Sequence, residues 1–191
     1  MRKLSELVEI ASGSPQFRIT EVFHEKAPLF TYYSQTDLGD DLVGIISKNR
    51  ANRQVRTNDK VSTLSNGDVI FSLITGNAAI VRKEHEGYLY TQNYVKLLPY
   101  DNIDAQFLVY LINENKAIKR QFAVGLQGSQ VLKYTLKQLK ELEVGKLPNI
   151  DRQKVIGQVY FKQLRLKALK KRAAELEESI ILAKLEEASN R

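Results

Sequence analysis

The chain has 191 residues, of which 43% are hydrophobic and 27% charged, and it contains 29 Lys and Arg against 22 Asp and Glu. The apolar fraction excludes global disorder, and the length predicts one globular domain with an appendage. The absence of cysteine excludes disulfides, thiolate metal sites and cysteine nucleophiles. The sequence shows neither a bilayer-spanning apolar run nor a signal peptide, so we expect a cytoplasmic protein that does not enter the membrane.

Charged side chains are distributed unevenly. Residues 1–100 hold 12 basic and 11 acidic side chains, residues 101–172 hold 15 and 6, and residues 173–191 hold 2 and 5. The formal net charge of +7 and the isoelectric point near 9.5 favour a polyanionic partner. The near-neutral first hundred residues contain one basic cluster, at 48–60. Its cationic members are Lys48, Arg50, Arg53, Arg56 and Lys60.

The 48–60 cluster is interspersed with Asn, Gln and Thr, which predicts a polar loop rather than a packed element. Two interpretations stay open. The loop is either an ordinary solvated surface or a set of guanidinium groups that contact phosphates and guanine edges.

Short apolar segments separated by turn residues predict a meander of strands, antiparallel or mixed, in the first hundred residues. Asn66-Gly67-Asp68 is a strong turn signal, and Pro99 ends the last apolar run. We expect a further turn at 37–40. The predicted strands are residues 30–33, 43–46, 69–74, 78–81 and 88–98.

The hydrophobic period changes after residue 100. Apolar residues at helical spacing predict a helix over 104–123 with Asp104 as its N-cap. A short helix over 135–142 and a strand over 144–147 follow. Pro148 marks a boundary, after which Asn149 or Asp151 can cap a long helix over 151–188.

The long helix carries a heptad pattern of apolar residues that is typical of a coiled coil. Lys162 is the one polar residue in the second row of this seam. The helix either folds onto its own domain or protrudes and pairs with a partner, and we favour the partner because most of the seam has no visible counterpart in the chain. The residues predicted to mediate dimerisation are Val159, Leu166, Leu169, Ala173, Leu176 and Ile180.

Motifs of known catalytic sites are absent from the sequence. There is no Walker loop, no GxGxxG and no HExxH, and the prolines do not form a methyltransferase tetrapeptide. Asp68 and Glu84 lack the lysine that a nuclease-like pair needs, and we expect His24 and His85 on loops without catalytic roles. The sequence therefore predicts no enzyme, no cofactor and no metal site.

Polar turns beside the predicted strands are candidates for base and phosphate contacts. Asn77 follows a glycine between two strands, and Gln92 and Asn93 lie on a strand or at its margin. Gln127 and Ser129 lie in a glycine-containing turn. Amide side chains are suited to reading adenine bidentately in the major groove. Together with the basic clusters, these turns favour a nucleic-acid-binding domain.

The order of these segments resembles that of a DNA-specificity subunit of type I restriction-modification systems. The resemblance includes Asn66–Ser72 as the Gly-Asp-Val strand and Pro148–Ile156 as the start of the spacer helix, in which Asn149 and Arg152 depart from the family pattern. The chain looks like a half-length form with one recognition domain and one helix. The matching segments are residues 4–13, 31–38, 66–72, 76–81, 91–93, 128–148 and 148–156.

The resemblance implies an α+β fold, in which a strand-rich target-recognition domain with small helices (1–148) precedes a long C-terminal helix (149–191) that forms a coiled coil. It also implies a non-catalytic subunit that binds double-stranded DNA, recognises one half-site per chain, and docks methyltransferase and restriction subunits. A second copy would complete an antiparallel homodimer with two inverted half-sites.

The sequence leaves one alternative function open, an interaction module with a coiled-coil arm that does not bind DNA. Under that interpretation the basic loop is merely solvated. Under the DNA-binding interpretation, Lys119 and Arg120 would reach the flanking backbone. The predicted DNA contacts are Lys48, Arg50, Arg53, Arg56, Asn77, Gln92, Asn93, Lys119, Arg120, Gln127 and Ser129.

Overall fold

A computed structural model describes residues 2–47, 52–126 and 133–190. The strands and helices alternate irregularly up to residue 144, and one long helix follows. The strands are β1 (Arg2–Lys3), β2 (Val8–Ser12), β3 (Leu29–Thr31), β4 (Gln54–Arg56), β5 (Val69–Ser72), β6 (Ala78–Ile80), β7 (Tyr94–Pro99) and β8 (Glu143–Val144). The helices are α1 (Gln35–Val43), α2 (Ala105–Glu114), α3 (Lys116–Leu126), α4 (Leu136–Glu141) and α5 (Ile150–Ser189).

A four-stranded antiparallel sheet of order β2-β7-β5-β6 forms the centre of the domain. Its register pairs Ser12 with Val95, Ser72 with Tyr94, and Phe71 with Ala78. The ends of β2 and β5 and the starts of β6 and β7 therefore lie at one edge of the sheet. Two smaller antiparallel pairs, β1–β8 and β3–β4, flank the sheet. This α+β architecture, with its long C-terminal helix, confirms the predicted fold class.

Both faces of the sheet are covered. The larger core packs α2 and α3 on one face, where Phe71 stacks on Phe122 with ring centroids 5.7 Å apart. The smaller core packs α1 on the other face, where Leu38 contacts the side of the sheet that carries Ile70. Alternation along β5 sends successive side chains to opposite faces, which is why this strand is buried along its whole length.

Two local predictions around α1 were wrong. Residues 37–40 lie inside the helix instead of forming a turn, and residues 43–46 close the helix and continue without strand pairing. Ser34 and Asp37 form a reciprocal capping box: the N–H of Ser34 donates to Oδ2 of Asp37 (2.8 Å), and the N–H of Asp37 donates to Oγ of Ser34 (3.3 Å). Gly44 ends the helix in the left-handed conformation (φ 71°). Asp and Gly therefore mark a capped helix here, although the same residue types are frequent in turns.

Other predicted elements occur with shifted ends. Asp104 caps α2 as predicted, through a hydrogen bond from the N–H of Phe107 (2.9 Å), but the chain breaks at Asn115 and continues as α3. The strand predicted over 88–98 is limited to β7, and the strand predicted over 144–147 shrinks to β8. The helix predicted over 151–188 is confirmed as α5, capped by Asn149.

The start of α5 is fixed to α2 through the buried side chain of Gln153. Its Oε1 accepts from the N–H of Asp104 (3.0 Å), and its Nε2 donates to the carbonyls of Asn102 (3.2 Å) and Pro148 (2.9 Å). Gly157 lies one turn further on, against the backbone of α2.

None of the helices in the described part of the chain combines the length and hydropathy of a bilayer-spanning segment.

A buried ionic network holds α1 against the rest of the domain. The ring of His85 lies between Asp37 (Nε2 to Oδ1, 3.3 Å) and Asp41 (Nδ1 to Oδ1, 2.8 Å), with all three side chains fully buried. The hydroxyl of Tyr33 donates to Oδ2 of Asp41 (2.7 Å). Burial by itself lowers the pKa of His85, but the hydrogen bonds and negative charges of the two aspartates outweigh burial and raise the pKa to about 9. In the folded protein, His85 is therefore an imidazolium at neutral pH.

We predict opposite effects of alanine at two helical glycines. A Cβ at Gly157 would lie 2.6 Å from Cβ of Gln106 and 2.7 Å from the backbone nitrogen of Phe107, so Gly157→Ala should lower the free energy of unfolding by about 1–3 kcal/mol. Gly39, inside α1, has open space around it, so Gly39→Ala should raise that free energy by about 0.5–1 kcal/mol. Urea denaturation measures both. Equal stabilisation by the two variants would contradict the close approach of α5 to α2.

We also predict that stability falls in alkaline solution through His85. Because its folded pKa of about 9 exceeds its ordinary value of 6.5, its contribution is complete below pH 6.5 and disappears as the pH rises through about 9. The free energy of unfolding of the wild type should fall by on the order of 2–3 kcal/mol over this interval relative to that of His85→Gln. Urea titrations at pH 6 and pH 9.5 test this, and parallel pH profiles for the two proteins would refute it.

Candidate nucleic-acid interface

Polar side chains are concentrated at the sheet edge where β5 ends and β6 and β7 begin. We call this surface the amide edge and define it by Asn77, Gln92, Asn93 and Lys133. Asn77 and Gln92 are exposed, while Asn93 and Lys133 are half-buried. The sequence predicted the first three as DNA contacts, and the structure brings them to one edge.

Gln92 is anchored to the segment that leaves β2. Its backbone N–H donates to the carbonyl of Ser14 (3.0 Å), and its side-chain Oε1 accepts from the backbone N–H of Gln16 (2.6 Å). Both bonds join residues far apart in the chain. The side chain of Gln92 is therefore exposed but held in a defined orientation.

Asn93 is anchored by a cation. The ammonium of Lys133 donates to Oδ1 of Asn93 (2.6 Å), and the backbone carbonyl of Asn93 accepts from the N–H of Leu73 (2.9 Å). The N–H of Tyr134 donates to the carbonyl of Leu73 (2.8 Å), so residues 133–134 also lie at the amide edge. Gln127 and Ser129 lie outside the described residues.

A tight turn places Asn77 at the same edge. The N–H of Gly76 donates to the carbonyl of Ser72 (2.9 Å). Gly76 has a φ of 71°, a backbone conformation that residues with a side chain rarely adopt. A Cβ at Gly76 would lie 2.5 Å from the ring of Tyr134. Glycine is thus required here both by the turn and by the packing of Tyr134 beneath it.

The β3–β4 pair carries Arg53, whose exposed guanidinium lies 5.2 Å from the ring centroid of Tyr32. Tyr33, the next residue, packs edge-to-face against Tyr94 at the start of β7 with centroids 5.4 Å apart. Gln35 strengthens this connection by donating to the hydroxyl of Tyr94 (2.8 Å) and accepting from that of Ser72 (3.1 Å). These contacts attach the β3–β4 pair to the strand ends at the amide edge. Lys48 and Arg50 lie outside the described residues.

Arg56 has a different environment from Arg53. It is half-buried, and its Nη1 donates to the carbonyls of Glu25 (3.0 Å) and Ala27 (2.8 Å). The structure thus gives the Arg56 side chain an internal partner, and its main effect is to hold the segment before β3.

Lys119 and Arg120 are not brought to the amide edge. They are exposed on α3, and Lys119 pairs with Glu114 (3.5 Å). The residues of α3 that face the core are Ile118 and Phe122, and Arg120, two positions from each, lies on the opposite face of the helix. The predicted contact of Lys119 and Arg120 with the flanking DNA backbone would therefore need a surface separate from the amide edge.

The segment between β2 and β3 presents two exposed aromatic residues that the sequence pattern did not indicate as contacts. Phe17 is 79% exposed and Phe23 is 92% exposed, and the guanidinium of Arg18 lies 5.6 Å from the ring centroid of Phe17. Their segment is held by hydrogen bonds from the N–H of Thr20 to Asp59 (2.6 Å) and from that of Val22 to the carbonyl of Arg56 (2.9 Å). The sequence signal that could have identified them is the presence of phenylalanine in a polar segment that shows neither strand nor helix periodicity.

Lys133 is a further residue of the candidate interface that the sequence pattern did not indicate. Its neighbours along the chain give no basic cluster, so only its contact with Asn93 identifies it.

Within the described ranges, no group of three or more His, Asp and Glu side chains is arranged to hold a metal ion.

Several solved structures are similar to this fold. The HsdS subunit of Thermoanaerobacter tengcongensis matches with a TM-score of 0.58 and 19% identity, covering 90% of this chain and 39% of that one. A chain from a type I R-M system, solved in a study of complex assembly and conformational transition, matches with a TM-score of 0.62 and 19% identity, covering 97% and 43%. The S subunit from M. genitalium matches with a TM-score of 0.52 and 18% identity, covering 95% and 41%.

The chain therefore spans about two fifths of the length of these structures, and at this identity they establish the fold. No curated protein sequence matches the chain. The sequence model of the family described as "Type I restriction modification DNA specificity domain" matches residues 1–182. Because that match covers nearly the whole chain, the protein belongs to the type I restriction-modification DNA specificity domain family.

Proposed function

We propose that this chain is a sequence-specific DNA-binding subunit of a type I restriction-modification system. Residues 1–148 form the recognition domain, which contacts one half-site, and residues 149–191 form the spacer helix. The observation that carries this proposal is the amide edge, where oriented amide groups and Lys133 lie together at the end of the sheet beside the β3–β4 pair. Within the family to which the chain belongs, such a surface is suited to DNA.

The cations of this surface have defined positions. Arg53 lies over an aromatic ring, which supports a guanidinium while leaving its N–H groups directed to solvent. Guanidinium groups bind phosphates and guanine edges bidentately. Arg53 is therefore our first choice for a DNA contact, and Lys48 and Arg50, five and three residues before it in the chain, extend the proposed contact set.

We propose that the chain has no catalytic step of its own and docks the methyltransferase and restriction subunits. The solved relative from a study of type I R-M complex assembly supports the choice of partners. The long helix α5 supports a role in assembly, because at about 1.5 Å per residue its 40 residues extend about 60 Å.

Two different stripes of α5 carry its apolar side chains. One stripe faces the domain and includes the half-buried Ile156, Tyr160 and Phe161. The other is the heptad seam predicted from the sequence, whose large apolar side chains are between 45% and 61% exposed. A helix that packs on its own domain with one face and exposes a heptad seam on another has room for a helical partner.

The charge pattern of α5 favours a second copy of the helix as that partner, in antiparallel orientation. Residues 150–172 contain eight basic and one acidic side chain, whereas residues 173–189 contain one basic and five acidic side chains. An antiparallel pair places the basic half of each helix beside the acidic half of the other, while a parallel pair places like charges side by side. In an antiparallel pair, each residue of one heptad row faces a residue of the other row, so Leu169 lies opposite Ile180 of the second copy and the two-fold axis lies between Ala174 and Glu175.

A dimer of this kind would determine the symmetry of the DNA target. Two recognition domains related by a two-fold axis read two inverted half-sites, and the paired helices set the distance between them. The homodimer and the bipartite target are parts of the proposal.

We predict that Arg53→Ala weakens duplex DNA binding and lowers its salt dependence. Loss of one phosphate contact should reduce the slope of log K against log salt concentration by about 0.9. Lys83 is an exposed lysine beyond the opposite end of β6, so Lys83→Ala is the matched control and should leave the slope unchanged. Fluorescence anisotropy with a labelled duplex at two salt concentrations measures both. Wild-type affinity and slope in Arg53→Ala would favour the alternative of an interaction module.

We predict that the seam forms the antiparallel homodimer. Because the chain has no native cysteine, Leu169→Cys and Ile180→Cys can report orientation by disulfide formation. A mixture of the two variants should cross-link, and neither variant should cross-link with itself. Self-cross-linking of Leu169→Cys would instead show a parallel pair.

Sedimentation of charge variants provides the second arm of this test. Leu176→Glu places a carboxylate in the seam and should give monomers at micromolar concentration, since burial of an unpaired charge is costly. Ala174→Glu adds the same charge off the seam, to an equally exposed part of the helix, and should remain dimeric. A monomeric wild type would show that a second copy is not the partner of the seam.

A further inference from the structure

We infer that Gln92 and Asn93 face DNA as hydrogen-bond donors only, so that the half-site presents acceptor groups to them, with guanine O6 and N7 as the preferred pair. This inference deepens the proposed function and rests on it. It departs from the sequence-based expectation that amide side chains read adenine, which requires one acceptor and one donor in the same base contact.

The oxygen of each amide already has a partner within the domain. Oε1 of Gln92 accepts from the backbone N–H of Gln16 at 2.6 Å, and Oδ1 of Asn93 accepts from the ammonium of Lys133 at 2.6 Å. Both distances are short for N–H···O bonds, and the second is charge-assisted. The oxygens are therefore directed toward the protein.

The orientation of both amides follows from their partners. A backbone N–H and a lysine ammonium donate hydrogen bonds and cannot accept them. Exchanging the oxygen and nitrogen of either amide would place two donors against each other. The NH2 group is consequently the end that remains for a ligand, and among the described residues neither Nε2 of Gln92 nor Nδ2 of Asn93 has a hydrogen-bond partner.

The groups around these amides strengthen the donor character of the surface. Lys133 and Arg53 add only donors, since neither side chain can accept a hydrogen bond. Two carboxylates of α1, Asp37 and Asp41, are fully buried against His85. Gln35, an amide of α1 beside these strand ends, uses its oxygen and its nitrogen on Ser72 and Tyr94.

A donor surface selects bases by what they present in the major groove. Guanine presents two adjacent acceptors, N7 and O6. Thymine presents the single acceptor O4 beside a methyl group, adenine presents a donor at N6, and cytosine presents a donor at N4. Donors that face N6 or N4 are repelled. The geometry therefore favours a guanine opposite Gln92, Asn93 or both.

The test uses variants that remove the donors and keep the anchored oxygens. Gln92→Glu retains an oxygen for the N–H of Gln16, and Asn93→Asp retains one for Lys133, but neither carries the NH2 group. Gln16→Glu is the control, because its exposed side chain receives the same charge and its backbone N–H still reaches Gln92. The full-length wild type first selects duplexes from a random pool, and each guanine of the selected site is then replaced by 7-deazaguanine, which lacks N7.

In the wild type, we expect a loss of about fivefold or more in affinity for 7-deazaguanine at one or two positions, the lower end of what one good base contact contributes. Gln92→Glu or Asn93→Asp should bind more weakly and lose the sensitivity at its own position, while Gln16→Glu should keep every sensitivity. A 7-deazaguanine response that persists in both donor-deficient variants would overturn the inference and leave the proposed function intact, as would a selected site without guanine. A wild type that selects no sequence would refute the proposed function itself.

Discussion

The buried imidazolium of His85 is the interaction on which the position of the interface depends. It bridges Asp37 and Asp41, two carboxylates one turn apart on α1, and so holds the helix on the sheet. Asp37 also accepts from the side-chain amide of Asn52 (2.7 Å), next to Arg53. Burial by itself raises the pKa of Asp37, but hydrogen bonds from His85 and Ser34 outweigh burial and lower it, so the carboxylate stays charged and able to accept. One network therefore connects α1, the β3–β4 pair and, through Gln35, the amide edge.

The second constraint is the use of both faces of α5. Gln153 and Gly157 fix its first turns to α2, so the direction of the helix follows from the domain rather than from a flexible linker. Arg165 adds a contact further along by donating to the carbonyl of Gly44, where α1 ends. A helix attached at these points presents its heptad seam at a defined angle. Such rigidity is what a helix needs if it is to set the distance between two half-sites.

Sequence patterns succeeded where a residue acts through its neighbours in the chain. The caps at Asp104 and Asn149, the turn at Asn66-Gly67-Asp68 and the seam of α5 depend on local geometry, and the structure contains each of them. Sequence patterns failed at α1, because Asp and Gly are compatible both with a turn and with a capped helix. The capping box is supported by the distant His85, which lies 44 residues from Asp41 and was expected on a loop.

The amino-acid sequence alone was sufficient to predict the α+β class and the long helix after Pro148, with its apolar seam and segregated charges. It also indicated Asn77, Gln92 and Asn93 as candidate contacts. The fold, and not the local sequence, sets which of these side chains meet, binds Arg56 internally while Arg53 is exposed, and turns the amide oxygens of Gln92 and Asn93 toward the protein. The physical reason is that a residue's own chemistry sets which hydrogen bonds it can make. Which of them remain for a ligand depends on partners brought close by the fold, here Gln16, 76 residues away, and Lys133, 40 residues away.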